Sequence, residues 1–251
     1  MEQVIVDNRS AAGYAATTSR RRERWFYTGM AIAFVVTVFA GFAPTYYLRP
    51  YFGMPQLAPL LHLHGIVFTS WIALFLTQTT LIAAKRTGIH RRLGIVGGAL
   101  AVTMVIIGVV TAIIRTQQST TSLVGPSPLS FLIIPLGDML VFASLVGAGF
   151  YFRRRVDLHK RLLLLATVSI LPAATARLPF AFIQQVGPLA FFGLADIFIV
   201  IVLIYDLVTR GRVHRATVCG GLIIVLSQPL RLLIGNTSAW ITFASWLTQW
   251  A

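Results

Sequence analysis

Residues 61–113 read LHLHGIVFTSWIALFLTQTTLIAAKRTGIHRRLGIVGGALAVTMVIIGVVTAI, two long apolar runs joined by a short basic segment. Each run exceeds the roughly 20 apolar residues that an α-helix needs to cross about 30 Å of hydrocarbon. The joint carries Lys85, Arg86, Arg91 and Arg92. A helical hairpin returning through a membrane is the expected structure. Working outward, the pattern repeats along the chain and predicts spans near 25–47, 58–83, 93–114, 129–152, 161–183, 188–208 and 216–235. The composition agrees: of 251 residues 57% are hydrophobic and 11% charged. A soluble domain carries about 25% charged residues. The sequence therefore predicts an all-α, polytopic membrane helix bundle of seven transmembrane helices. Residues 1–24 read as a disordered cytoplasmic basic tail, 25–235 as the bundle, and 236–251, with Trp240, Trp246 and Trp250, as an interfacial segment on the outer surface.

The net charge of +14 arises from 21 Lys and Arg set against 7 Asp and Glu. Seventeen of those 21 fall before span 1 or in the joints after spans 2, 4 and 6. Lys and Arg concentrate in cytoplasmic loops, so the amino terminus is expected inside and the carboxyl terminus outside. This distribution makes the charge topological. Acidic lipid headgroups of the cytoplasmic leaflet are the expected partners, and nucleic acid is not. The bacterial cytoplasmic (inner) membrane is the expected location, with other subunits of a membrane complex as further candidate partners.

Ionisable residues inside apolar spans are costly and face protein or a water-filled cavity. With the orientation above and a rise of about 1.5 Å per residue, Asp138, Arg177, Asp196 and Arg231 are expected roughly 8 to 14 Å below the outer surface. His62 and His64 enter span 2 roughly 5 to 10 Å deep. Gln228 lies one turn before Arg231. Two Asp and two Arg in one layer balance in charge, and either Asp is a candidate partner for either Arg. Two readings stand: a packing lock, or the lining of a pocket open to the outer side. His64, Trp71 and Gln78 recur every seven residues and share a face, with Phe68 between. That stripe suits either a wall for a flat ligand such as a quinone or a helix contact. His62 falls about 200° away.

At the inner side His90 and His159 begin spans 3 and 5. They are weaker candidates, with His62, for cofactor binding; a haem b needs two such axial ligands. No protein-bound metal is otherwise expected. The single cysteine, Cys219, reads as a packed, inert thiol. No lysine lies within span 7, which removes a retinal Schiff base there. Whether the chain is an enzyme is left open. The sequence supports a redox-associated protein binding a quinone-like or haem-like cofactor at His64, Trp71, Gln78, Asp138, Arg177, Asp196, Gln228 and Arg231. A transporter or sensor for protons or small solutes, and a structural or assembly subunit, are the alternatives.

The runs Leu61-His62-Leu63-His64-Gly65, His90-Arg91-Arg92-Leu93-Gly94 and Leu158-His159-Lys160-Arg161-Leu162, with Phe42-Ala43-Pro44-Thr45-Tyr46-Tyr47-Leu48, resemble a family of uncharacterised bacterial multi-pass inner-membrane proteins. The resemblance covers most of residues 25–250 and brings no established activity with it. A looser similarity is to membrane cytochromes of the b type, which place histidines at helix ends near both surfaces. Here the outer second-helix ligand of such a pair is missing.

Overall fold

The computed structural model describes residues 2–119 and 127–249, with side chains described from residue 21 onward except at Gln184. Among the described residues it is all-helical, with no strand. Ten α-helices follow in order: α1 Glu2–Phe42, α2 Pro59–Ala83, α3 Thr87–Gln118, α4 Pro128–Tyr151, α5 Val156–Ser169, α6 Pro172–Thr175, α7 Ala181–Val186, α8 Pro188–Arg210, α9 Arg215–Ile234 and α10 Ser238–Thr248. α1 starts at Glu2, where the sequence reading expects an unstructured tail to residue 24. Its run of Ala and Arg, both strong helix formers, favours continuation of the helix.

Among the described residues six helices are long and apolar enough to cross a membrane: Arg21–Tyr47 within and just beyond α1, then α2, α3, α4, α8 and α9. The fifth expected span, 161–183, is not among them. It is divided into α5 of 14 residues, α6 of 4 and α7 of 6. Pro172 opens α6, and Pro179 stands two residues before α7. Proline removes a backbone donor and clashes with the preceding turn, so the segment breaks instead of bending as one helix. Gly187, at φ 69° and ψ −133°, makes the corner between α7 and α8, a conformation that favours glycine.

Contacts between elements fix which helix ends lie together. At one end, His159 at the start of α5 bonds Gly149 near the end of α4, and Gln78 near the end of α2 bonds His90 near the start of α3. Glu23 of α1, Lys160 of α5 and Arg210 of α8 meet at the same end. This is the basic end. At the other, Trp240 of α10 donates to the Leu129 carbonyl of α4, and Gly41 of α1 abuts Ala174 of α6. A Cβ at Gly41 would lie 2.2 Å from the Ala174 oxygen, so only glycine admits this approach. Together α5 and α6 carry the chain from the basic end to the opposite one.

The surface is apolar and several charges are inside. Ile95, Val208 and Leu233 are 78%, 80% and 72% exposed, whereas Arg161 and Asp206 are fully buried. Such an arrangement is stable in lipid, where apolar surface costs nothing and each polar group needs an internal partner. Cys219 lies on the exposed flank of α9 and is not packed inside as the apolar sequence around it suggested. α10 seats Ala244 fully buried against α3 and α4. Residues 120–126, between α3 and α4, and Trp250 lie outside the described residues.

Candidate functional site

The polar layer expected in one plane resolves into two separate groups. On the α4, α8 and α9 side, Arg231 pairs with Asp138 and donates to the Ile134 carbonyl at 3.2 Å. It also donates to Ser227 Oγ at 2.7 Å and lies 5.6 Å from the centre of the Phe192 ring. Gly137 makes room for it: a Cβ there would stand 2.3 Å from Arg231 Cδ. One turn earlier on α9, Gln228 Nε2 donates to Asp196 Oδ1 at 2.9 Å. The Asp138–Arg231 match is thus realised, while Asp196 has an amide where the charge balance of the sequence suggested an arginine.

Arg177 belongs to neither. It stands in the turn after α6, on the side of the bundle formed by α1 and α2. Among the described residues it has no acidic partner. Its guanidinium lies 4.9 Å from the centre of the Phe42 ring and donates to the Ala173 carbonyl. It is also within electrostatic range of His64. Of the two aspartates that are candidate partners for Arg177, neither pairs with it among the described residues. The α6 break ends the fifth span early and turns this residue toward α1.

The span 2 stripe divides in the same way. Trp71 is buried and donates to Thr167 Oγ1 of α5 at 3.2 Å, edge-on to Phe142 of α4. Gln78 Nε2 donates to the His90 carbonyl at 3.3 Å, and Gln78 Oε1 is buried without a partner. Both residues therefore hold helices together. His64 is half-buried, stacks on Phe68 with ring centres 4.1 Å apart, and keeps a buried Nδ1 without a partner. His62 is exposed and stands against Tyr46, with ring centres 5.9 Å apart.

At the basic end, the rings of His90 and His159 lie 6.4 Å apart and nearly perpendicular. His159 Nδ1 bonds the Gly149 carbonyl at 2.8 Å, while His90 Nδ1 is buried without a partner. Phe150 stands 6.3 Å from the His159 ring, and its edge lies 3.6 Å from where a Cβ at Gly98 would be. Among the described residues no three His, Cys, Asp or Glu side chains are grouped to hold a metal ion.

The most complete polar cluster is one that the sequence reading missed. Arg161, read only as an inner-loop charge, forms a two-pronged pair with Asp206 of α8. Asp206 also accepts from Thr217 Oγ1 at 2.6 Å and from the His214 backbone N–H at 3.2 Å. The signal was present: Arg161 shares the i, i+3, i+4, i+7 face with Leu164, Leu165 and Val168, all fully buried. Beneath it, Lys160 meets Glu23 and Asp157, and Arg210 meets Asp157 at 2.8 Å. The hydrogen bond from Lys160 leads the effects that hold the Asp157 carboxyl at about 2, followed by those of Arg210. His214 Nδ1 accepts from Ala216 N–H at 3.1 Å and so caps α9. Burial, then the Arg161 and Arg210 guanidinium groups, keep the His214 imidazole below its ordinary value, which suits a nitrogen that must accept.

The fold and these clusters define an integral membrane protein of helical-bundle type, with charged pairs inside and an apolar exterior. Comparison of the chain with protein-family models, with curated proteins and with solved structures finds no match.

Proposed function

We propose that the chain crosses the bacterial inner membrane seven times, amino terminus in the cytoplasm and carboxyl terminus outside, and binds a quinone-like ring between α1, α2 and the turn after α6. The divided α5–α6 segment serves as the fifth crossing in this reading. The basic end faces the anionic headgroups of the cytoplasmic leaflet, which attract Lys and Arg.

One observation carries the ligand reading. Arg177 has no acidic partner among the described residues, and it lies within electrostatic range of His64, whose buried Nδ1 has no partner either. An arginine keeps its charge at any accessible pH, and Arg177 is exposed on the outside of the helices, where a charge without a counter-ion is costly in hydrocarbon. The Phe42 ring and the Ala173 carbonyl supply part of the compensation. Oxygen acceptors on a ligand supply the rest. A quinone headgroup offers two carbonyl acceptors on a flat apolar ring, matched by the guanidinium, the imidazole and the aromatic faces of Phe42 and Phe68. Any redox role comes from the ligand's own chemistry; the protein's part is to bind and orient it.

A second reading places haem b between His90 and His159. The bond from His159 to Gly149 favours it, since ligating histidines are commonly oriented by a backbone carbonyl. Phe150 beside Gly98 stands against it, because it fills the face that a macrocycle would need.

The test is organic extraction of protein purified from bacterial membranes, with a visible spectrum of the same sample. Bound quinone is expected, and Arg177→Gln and His64→Leu should each remove most of it. Arg177→Gln breaks no ion pair but loses the bond to Ala173 and the Phe42 contact, so the variant should stay folded with a stability change below about 2 kcal/mol. A quinone-free preparation, or equal retention in both variants, overturns the reading. A haem band lost in His90→Ala would favour the second.

A further inference from the structure

We propose that Asp196 is a proton-binding site within the membrane-spanning part of α8. The long apolar helices hold three aspartates among their described residues: Asp138, Asp196 and Asp206. Two are matched by cations, Asp206 by Arg161 and Asp138 by Arg231. Asp196 has no basic partner among the described residues and takes one hydrogen bond, from Gln228. It is also half-buried, whereas Asp206 and Asp138 are 0% and 7% exposed. Asp196 is therefore not sealed inside the packed core as the other two are.

Among the described residues the surroundings supply no other charge; α1, which packs Phe34 against Phe198 of α8, has its ionisable side chains within residues 21–27 at the basic end. From α9 come Gln228 and, one turn on, Arg231, which is occupied by Asp138, Ser227 and Ile134. The α6 and α7 sequences contain no ionisable residue. Arg177 between them lies over Phe42. The ionisable groups of α5, which are Asp157, His159, Lys160 and Arg161, are all within its first two turns at the basic end. On α8 itself Tyr205, Asp206 and Arg210 are at that same end.

An unpaired carboxylate in low dielectric is relieved by taking up a proton. Glutamine suits such a neighbour, because its amide both donates and accepts. Its NH₂ serves the carboxylate, and after a flip its carbonyl serves the acid O–H. The site therefore keeps a hydrogen bond in both states. The proton is exchanged with solvent, and the equilibrium is independent of any ligand at Arg177.

Carbodiimides add to carboxyl groups in their neutral acid form, so dicyclohexylcarbodiimide is the probe. The full chain in detergent or liposomes is labelled across a pH series and mapped by mass spectrometry. Label is expected at Asp196 in preference to Asp138 and Asp206, absent in Asp196→Asn, and falling with the neutral fraction about tenfold per pH unit above its midpoint. Equal labelling of all three aspartates overturns the proposal. If no site is labelled, infrared spectra decide. A carboxylic acid C=O band present in the parent and lost in Asp196→Asn supports it, and the absence of such a band overturns it.

Discussion

Near the basic end, Asp206 receives both prongs of Arg161, a hydroxyl from Thr217 and an N–H from His214. Toward the opposite end, Arg177 and Asp196 carry opposite charges yet stand on separate elements, neither with an ion-pair partner among the described residues. The first region is fully buried, whereas Asp196 is half-buried and Arg177 exposed. The first offsets the cost of burial with a closed set of donors and acceptors, so its role is to join α5, α8 and α9. The second leaves hydrogen-bonding capacity open, and open capacity inside a membrane is where a ligand or a proton binds. The Asp138–Arg231 pair lies between the two in character: it is buried and matched, but it shares α9 with the Gln228 that serves Asp196.

The contrast is best broken at Arg161. Arg161→Met leaves a buried carboxylate without its cation and should cost about 3–5 kcal/mol, measured by denaturation in detergent. The double variant Arg161→Met, Asp206→Leu should recover most of that loss, since an apolar replacement of a whole buried pair is often neutral. A double variant no more stable than the single one would deny that the cluster is a closed lock. Next in size is Gly137→Ala. The added methyl meets Arg231 Cδ, and overpacking of this kind costs about 1–3 kcal/mol. In an Arg231→Ala background the cost should largely vanish, and persistence there would place the strain elsewhere. The smallest effect is at Asp157, whose side chain is half exposed. Its carboxyl lies at about 2 in the folded protein against an ordinary 3.8. A depressed carboxyl contributes stability above the ordinary value and loses it as pH falls through the folded one. Parent and Asp157→Asn should differ by less than about 1 kcal/mol at neutral pH, as exposed pairs do, and converge between about pH 4 and pH 2. A difference that persists at pH 2 would assign the effect to packing.

Much of the fold was legible because membrane physics writes it into composition. Six expected spans, around 25–47, 58–83, 93–114, 129–152, 188–208 and 216–235, coincide with long apolar helices. The 161–183 span misled because hydropathy counts apolar residues and not backbone continuity, which Pro172 and Pro179 interrupt. The candidate site was legible in its membership more than in its partnerships. Arg231 with Asp138 and Gln228 with Asp196 do pair from neighbouring turns of α9, while His64 and Arg177 are joined by no direct contact among the described residues. Which Asp takes which Arg depends on how α9 is rotated against α4 and α8, and a linear pattern does not encode that. Arg161 was hidden by its neighbours, since it stands among basic residues that set topology.

By itself the sequence determined the class of protein, the apolar helices and the collection of basic residues at one end. Those follow from the cost of placing charges and unpaired backbone in hydrocarbon, a cost that each segment meets alone. Only the tertiary structure decided that Arg161 belongs to Asp206 and Arg231 to Asp138, leaving Arg177 and Asp196 without ion pairs among the described residues. Pairing depends on distances of a few ångströms between helices far apart in the chain, and these are fixed when the α5–α6 break and the close contacts at Gly41 and Gly137 set how the helices pack.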